Sequence, residues 1–214
     1  MSRPETSARR LSGEPGKASA PELPPEVLRA LPERRPEALE AFYEAYFQRI
    51  YGYVRRLLRD EHQAEDLTQD IFMHIHRSLG RYDPTRDLKP WVFTIATNKV
   101  RDYWSSRRHR ESVSQVSIDE EGERSFDPES EEPEPRERLE SAERSGQVTR
   151  AIGNLPEGLR TTLLLRYYEG LSFQEIGTII DRSEVAVRKR YSRALEELRG
   201  SLAGMHPEAP GEAK

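Results

Sequence analysis

Apolar positions recur along this chain at three- and four-residue steps, the spacing that lines one face of a helix, and no stretch alternates as a half-buried strand would. Leu39, Phe42, Tyr46, Ile50, Tyr53, Val54 and Leu57 form such a stripe and predict a first core helix from Glu37 to about Arg59. Asp60 with Gln63 resembles a capping box and opens a second helix through Leu79, where Gly80 stops it. Its buried side is Leu67, Ile71 and Ile75, with His74 a candidate for the same side. The segment 81–89, RYDPTRDLK, reads as a loop by its Asp-Pro step, and Pro90 suits the first turn of a third helix reaching about Arg108. Four helices follow after a polar interval: about Glu137 to Gly153, Glu157 to Tyr168 with Gly170 at its end, and two more within Leu171 to Arg199.

That last pair organises the chain. Ser172 with Glu175 makes a capping box, and Phe173, Ile176, Ile179 and Ile180 fall at helical spacing behind it. Asp181 and Arg182 interrupt the run, Ser183 offers a second N-cap, and the second helix runs from about Glu184 to Arg199. At about 100° per residue, Val187, Tyr191, Ala194 and Leu198 gather on a packing face. Val185, Ala186, Lys189, Ser192 and Arg193 lie largely away from it, with Arg188 and Arg190 on the flanks. Two capped helices joined by a tight turn, the second of them basic, predict a DNA-binding helix-turn-helix. Long cations on the flanks suit phosphates, and the outward face suits base edges.

Composition changes the picture at the ends and in the middle. Only 35% of the 214 residues are hydrophobic, so part of the chain never enters a core. Met1 to Pro36, rich in Pro, Ser, Glu and Arg, is expected to be mostly disordered, a short helix around Pro25 to Leu31 being the one element its pattern allows. Residues 203–214 are expected to be a disordered tail. The interval from Glu111 to Arg138 crowds acidic residues around Pro128, Pro133 and Pro135 and reads as a self-repelling flexible tether. It also offsets the basic ends of the folded units, so the formal charge of −4 does not argue against a nucleic-acid partner. The expected fold class is therefore all-α: two small helical domains, a three-helix core and a four-helix unit ending in the helix-turn-helix.

The absence of cysteine excludes disulfides, thiolate metal sites and cysteine nucleophiles. No apolar run is long enough to span a bilayer and the N-terminus lacks a signal-peptide centre, which gives an expectation of a cytoplasmic protein with no membrane insertion. An enzyme would have to be built from His74 and His76 beside Asp66 and Asp70. Residues two apart on a helix do not share a face, so these histidines make no paired ligand site, and neither a metal nor a cofactor is expected. The third helix carries Trp91, Phe93, Tyr103 and Trp104 among Lys99, Arg101, Arg107, Arg108 and Arg110. Rings interleaved with cations suit single-stranded nucleic acid, although rings at this spacing also build cores.

With both units in view, the chain resembles a bacterial RNA polymerase sigma factor of the sigma-70 family, extracytoplasmic-function subfamily, which keeps only regions 2 and 4. The likeness implies a disordered extension over 1–36, region 2 over 37–110, a flexible acidic linker over 111–136 and region 4 over 137–202. AEDLTQDIFMHIHRSL is similar to the helix with which the family binds core RNA polymerase, matching at Asp66, Leu67, Gln69, Asp70 and Phe72. The helical wheel puts Asp66, Gln69, Asp70, Met73 and His76 opposite Leu67 and Ile71, a docking face for another protein. PWVFTIATNKVRDYWSSRRHR is similar to the promoter-opening segment. The likeness assigns Asn98, Arg101 and Asp102 to the minus-10 element with Tyr103, Trp104, Arg107 and Arg108 beside them, and loop 81–89 to an extruded base. The region 4 likeness makes the DNA of the helix-turn-helix the minus-35 element, and the face analysis places Arg182, Ser183, Arg188, Lys189, Arg190, Ser192 and Arg193 on it. Promoter DNA, core polymerase and an anti-sigma factor are the partners it implies. Two departures stand out: Glu184-Val185-Ala186 replaces the commoner small-Gly-Thr start of the recognition helix, and the acidic linker is long. The rival reading, a helix-turn-helix regulator that is not a sigma factor, needs a receiver or ligand domain, and no strand pattern supplies one.

Overall fold

The computed structural model describes residues 23–113 and 146–203, the side chains of 109–113 excepted. Every regular element among the described residues is a helix. Helix α1, Pro25–Ala30, starts on a proline whose missing N–H costs nothing at the first turn. Val27, Leu28 and Leu31 turn inward from it, and Leu31 is fully buried. Residues 23–36 are therefore part of the first bundle, and the short helix that the pattern allowed around Pro25 to Leu31 forms there. Residues 1–22, most of the acidic interval and the tail from 204 lie outside the described residues.

Helix α2, Pro36–Leu58, buries Phe42, Tyr46, Ile50, Tyr53, Val54 and Leu57, so the stripe holds. It ends at Arg59 in the left-handed region, φ 61°. Helix α3, Glu61–Ser78, begins where the Asp60 carboxylate accepts the Gln63 N–H at 3.0 Å. It buries Leu67, Ile71 and Ile75, while His74, at the margin of the stripe, is exposed. After a 3-10 turn at Leu79–Arg81 the loop is held by its own side chains. The buried Tyr82 hydroxyl donates to the Arg86 carbonyl at 2.8 Å, and Asp83 accepts from both the N–H and the hydroxyl of Thr85.

Helix α4, Leu88–Val113, starts two residues earlier than expected and runs further. Leu88 is buried and anchors the start, and Pro90 still falls in the first turn, where an amide hydrogen has no intrahelical partner. Phe93 packs edge-on to Tyr53, ring centroids 5.3 Å apart. The Tyr53 hydroxyl meets the Thr97 hydroxyl at 2.9 Å and ties α4 to α2.

The second bundle begins with helix α5, described over 146–154, and helix α6, Glu157–Tyr167. Gly170, φ 67°, turns the chain where a side chain would be strained. Helices α7, Phe173–Ile180, and α8, Glu184–Ala203, complete the fold. The two bundles share one continuous apolar core. At their junction Glu169 is buried and its carboxylate takes the Arg49 guanidinium at 2.6 Å. Lys89 donates to the Glu169 carbonyl at 3.3 Å, Arg59 reaches the Asn154 side chain at 3.3 Å, and Arg56 lies over the Tyr168 ring. Burial raises the Glu169 carboxyl above its ordinary value, with Arg49 opposing.

Candidate nucleic-acid and protein interfaces

On α3 the residues expected to dock, Asp66, Gln69, Asp70, Met73 and His76, are all exposed and lie opposite the buried Leu67, Ile71 and Ile75. Beside them runs a groove of about 510 Å³ between α2 and α3, lined by Tyr43, Phe47, Tyr51, Thr68, Gln69 and Phe72 among others. Tyr43 stacks on Phe47 at 4.9 Å, and both rings lean on Phe72, at 5.2 and 5.8 Å. Tyr43 is nonetheless half exposed, and the buried Thr68 hydroxyl on the groove wall has no hydrogen-bond partner. Sequence reasoning missed this aromatic line. Its signal was there: Tyr43, Phe47 and Tyr51 recur at four-residue steps, a second apolar row on the flank of the α2 stripe.

On α4 the exposed positions include Asn98, Arg101, Asp102, Arg107 and Arg108. Arg101 donates to the Asn98 side chain at 3.4 Å, so the two form one polar patch. Tyr103 and Trp104 are half-buried and pack against the core, which leaves each ring only partly available for stacking. The Tyr82 and Trp91 rings lie 5.2 Å apart where the loop meets α4. Arg108 reaches across to the Glu157 carboxylate at the start of α6, 2.9 Å away.

The helix-turn-helix forms as its caps dictate. Ser172 and Glu175 exchange both hydrogen bonds of the capping box, at 3.2 and 2.6 Å. Asp181 takes the left-handed conformation, φ 53°, and the Ser183 hydroxyl accepts the Ala186 N–H at 3.3 Å. Gly177 makes the turn close. A Cβ there would stand 2.6 Å from the Arg182 carbonyl oxygen. Val187 and Ala194 are buried, and Tyr191 packs on Phe173 at 5.6 Å.

Arg182, Ser183, Arg188, Lys189, Ser192 and Arg193 are exposed, whereas Arg190 is half-buried against α6, its guanidinium beside Gly158. Arg188 is held in place by the Glu184 carboxylate, to which it donates through Nε at 3.0 Å and through Nη2, and it lies over the Phe173 ring at 4.6 Å. Arg166 covers the same ring at 4.7 Å. Neither Phe173 nor Glu184 stood out in the sequence as a positioning group. Ala186 is half-buried, not outward, because Val187 beside it draws that edge of the helix onto the bundle.

Comparison with known proteins agrees with this geometry. Residues 42–110 match the family described as Sigma-70 region 2, and residues 145–198 match Sigma-70, region 4. RNA polymerase sigma-H factor of Pseudomonas aeruginosa is 31% identical over 169 residues, 77% of this chain and 86% of that protein. RNA polymerase sigma factor CarQ of Myxococcus xanthus is 32% identical over 172 residues, 80% of this chain and 93% of that one. In fold the chain is similar to the sigma factor RpoE of Bartonella quintana, solved with the anti-sigma factor NepR: TM-score 0.61, 21% identity, 77% of this chain and 96% of that one. CnrH, solved with the cytosolic domain of CnrY, gives a TM-score of 0.60 at 21% identity, over 84% of this chain and 97% of that one. With two sigma regions in order on an all-helical fold, the chain belongs to the extracytoplasmic-function subfamily of the sigma-70 family of RNA polymerase sigma factors, which direct promoter recognition and transcription initiation.

Proposed function

We propose that this chain docks on core RNA polymerase through the exposed face of α3 and the aromatic groove beside it, and that its two bundles divide the promoter between them. What carries the reading is one juxtaposition: Gln69 belongs both to the α3 face and to the wall of the groove. A partner helix laid there would meet Asp66, Gln69 and Asp70 with its polar residues and Tyr43, Phe47 and Phe72 with an apolar one. On α4, the polar patch of Asn98, Arg101 and Asp102 takes the opened minus-10 strand, with Arg107 and Arg108 on its phosphates. The exposed edges of Tyr103 and Trp104 add contact, and loop 81–89, stiffened by Tyr82 and Asp83, receives the extruded base. On α8, Ser183, Lys189, Ser192 and Arg193 read the minus-35 duplex while Arg182, Arg188 and Arg190 hold phosphates. We assign region 2 to 37–110 and region 4 to 137–202. The protein works where core polymerase works, in the cytoplasm. An anti-sigma factor covering these same faces is the regulator the reading implies.

The test is a pull-down of core polymerase by the purified chain without DNA. Gln69→Ala with Asp70→Ala, both exposed, should weaken capture at least tenfold and leave the thermal melt unchanged. Unchanged affinity would remove this helix from the interface.

A further inference from the structure

In its first turn α8 shows a largely exposed apolar side chain, Val185. We infer that Val185 is a base-reading residue, its isopropyl group receiving the 5-methyl of one thymine in the minus-35 duplex. An exposed valine is ordinary on a protein surface, so position carries the argument. Val185 is 63% exposed, one turn ahead of Lys189 and two ahead of Ser192, and these three exposed residues form one line on the side away from the buried Val187 and Ala194. The polar groups beside it are held by their own neighbours. The Ser183 hydroxyl caps the Ala186 N–H, and the Glu184 carboxylate is drawn to Arg188, which lies on Phe173. Between these polar groups Val185 is the largely exposed apolar side chain at the leading edge of the helix. N-terminal residues of a recognition helix are the ones that reach base edges, and the thymine methyl is the apolar mark in the major groove. A β-branched side chain on a helix holds one rotamer, so the contact is positioned before binding.

This inference rests on the placement of α8 in the major groove. Its test uses the full chain with core polymerase on a duplex selected from a pool randomised across the minus-35 element. Each thymine on either strand is replaced in turn by deoxyuridine, which removes the 5-methyl and nothing else. One replacement should weaken the parent about fourfold, the worth of one buried methyl-sized group, and leave Val185→Ala unmoved. On the unmodified duplex Val185→Ala should itself lose about as much. If no replacement weakens the parent, or if every replacement weakens parent and Val185→Ala alike, the inference is overturned. Lys189→Ala in the same panel separates the two levels. A changed base preference at Lys189 without coupling at Val185 overturns the valine contact alone, whereas a uniform effect of Lys189→Ala, again without coupling, overturns the major-groove placement too.

Discussion

Tyr53 shows how single residues hold α4 in place. Burial drives its phenol well above the ordinary value, so it stays neutral, and its hydroxyl is matched to that of Thr97 across the gap between α2 and α4. Tyr53→Phe should destabilise the protein by about 1–3 kcal/mol, because it leaves the Thr97 hydroxyl buried without a partner. Adding Thr97→Val removes the orphan and should restore most of the loss in urea unfolding. A double variant no more stable than Tyr53→Phe would mean the hydroxyl pair is not what joins the helices. The sequence placed Tyr53 on the buried stripe but gave no sign of its partner 44 residues away, since a stripe encodes which side is buried and not what it meets. The same holds for Phe173. It was legible as a core position, yet its role in holding Arg188 and Arg166 depends on which faces the bundle brings together.

At the scale of elements the local signals were readable because they are local. The Ser172–Glu175 box, the Asp60 cap and the Gly170 stop each lie within a few residues of the feature they set. The start of α4 was not readable, since Pro90 marks a first turn without saying where in that turn it sits, and the buried Leu88 decides. The aromatic row of α2 was overlooked for a related reason: one helix carries two apolar lines, one facing the core and one facing the groove. The helix-turn-helix supplies the sharpest element-scale prediction. Gly177→Ala would drive a Cβ into the Arg182 backbone carbonyl, which cannot rotate away as a side chain does. The turn must open, at a cost of about 1–3 kcal/mol, and α8 must tilt. Differential scanning calorimetry should show the lower stability, and affinity for a minus-35 duplex should fall with it. Normal melting and normal affinity would show that the turn has slack.

Across the whole molecule, the bundles are joined by charged groups around the buried Glu169. Glu169→Ala leaves the part-buried Arg49 guanidinium without its carboxylate, a loss of about 1–3 kcal/mol, and should loosen the junction of the bundles. Small-angle scattering should then report a larger radius of gyration, and an unchanged one would show that the apolar contacts suffice. The pH dependence has a definite sign. The packed state raises the Glu169 carboxyl, so it holds that proton more tightly than the separated state does. The proton-linked part of the Glu169 contribution to packing is therefore full below the ordinary carboxylate range and is lost as pH rises through its raised value, leaving the Arg49 pair. Relative to Glu169→Gln, which cannot titrate, the parent should pack more tightly as pH falls from neutral toward that range. The two-bundle organisation itself was legible in the change of composition between them, whereas their packing was not, because Arg49 and Glu169 lie 120 residues apart. The central claim is that the chain makes core polymerase promoter-specific. The most direct test is run-off transcription by core polymerase on a genomic promoter library, with and without the chain. The account predicts discrete transcripts from a defined set of promoters that appear only with the chain and are lost with Gln69→Ala and Asp70→Ala. The same transcripts with and without the chain would contradict it.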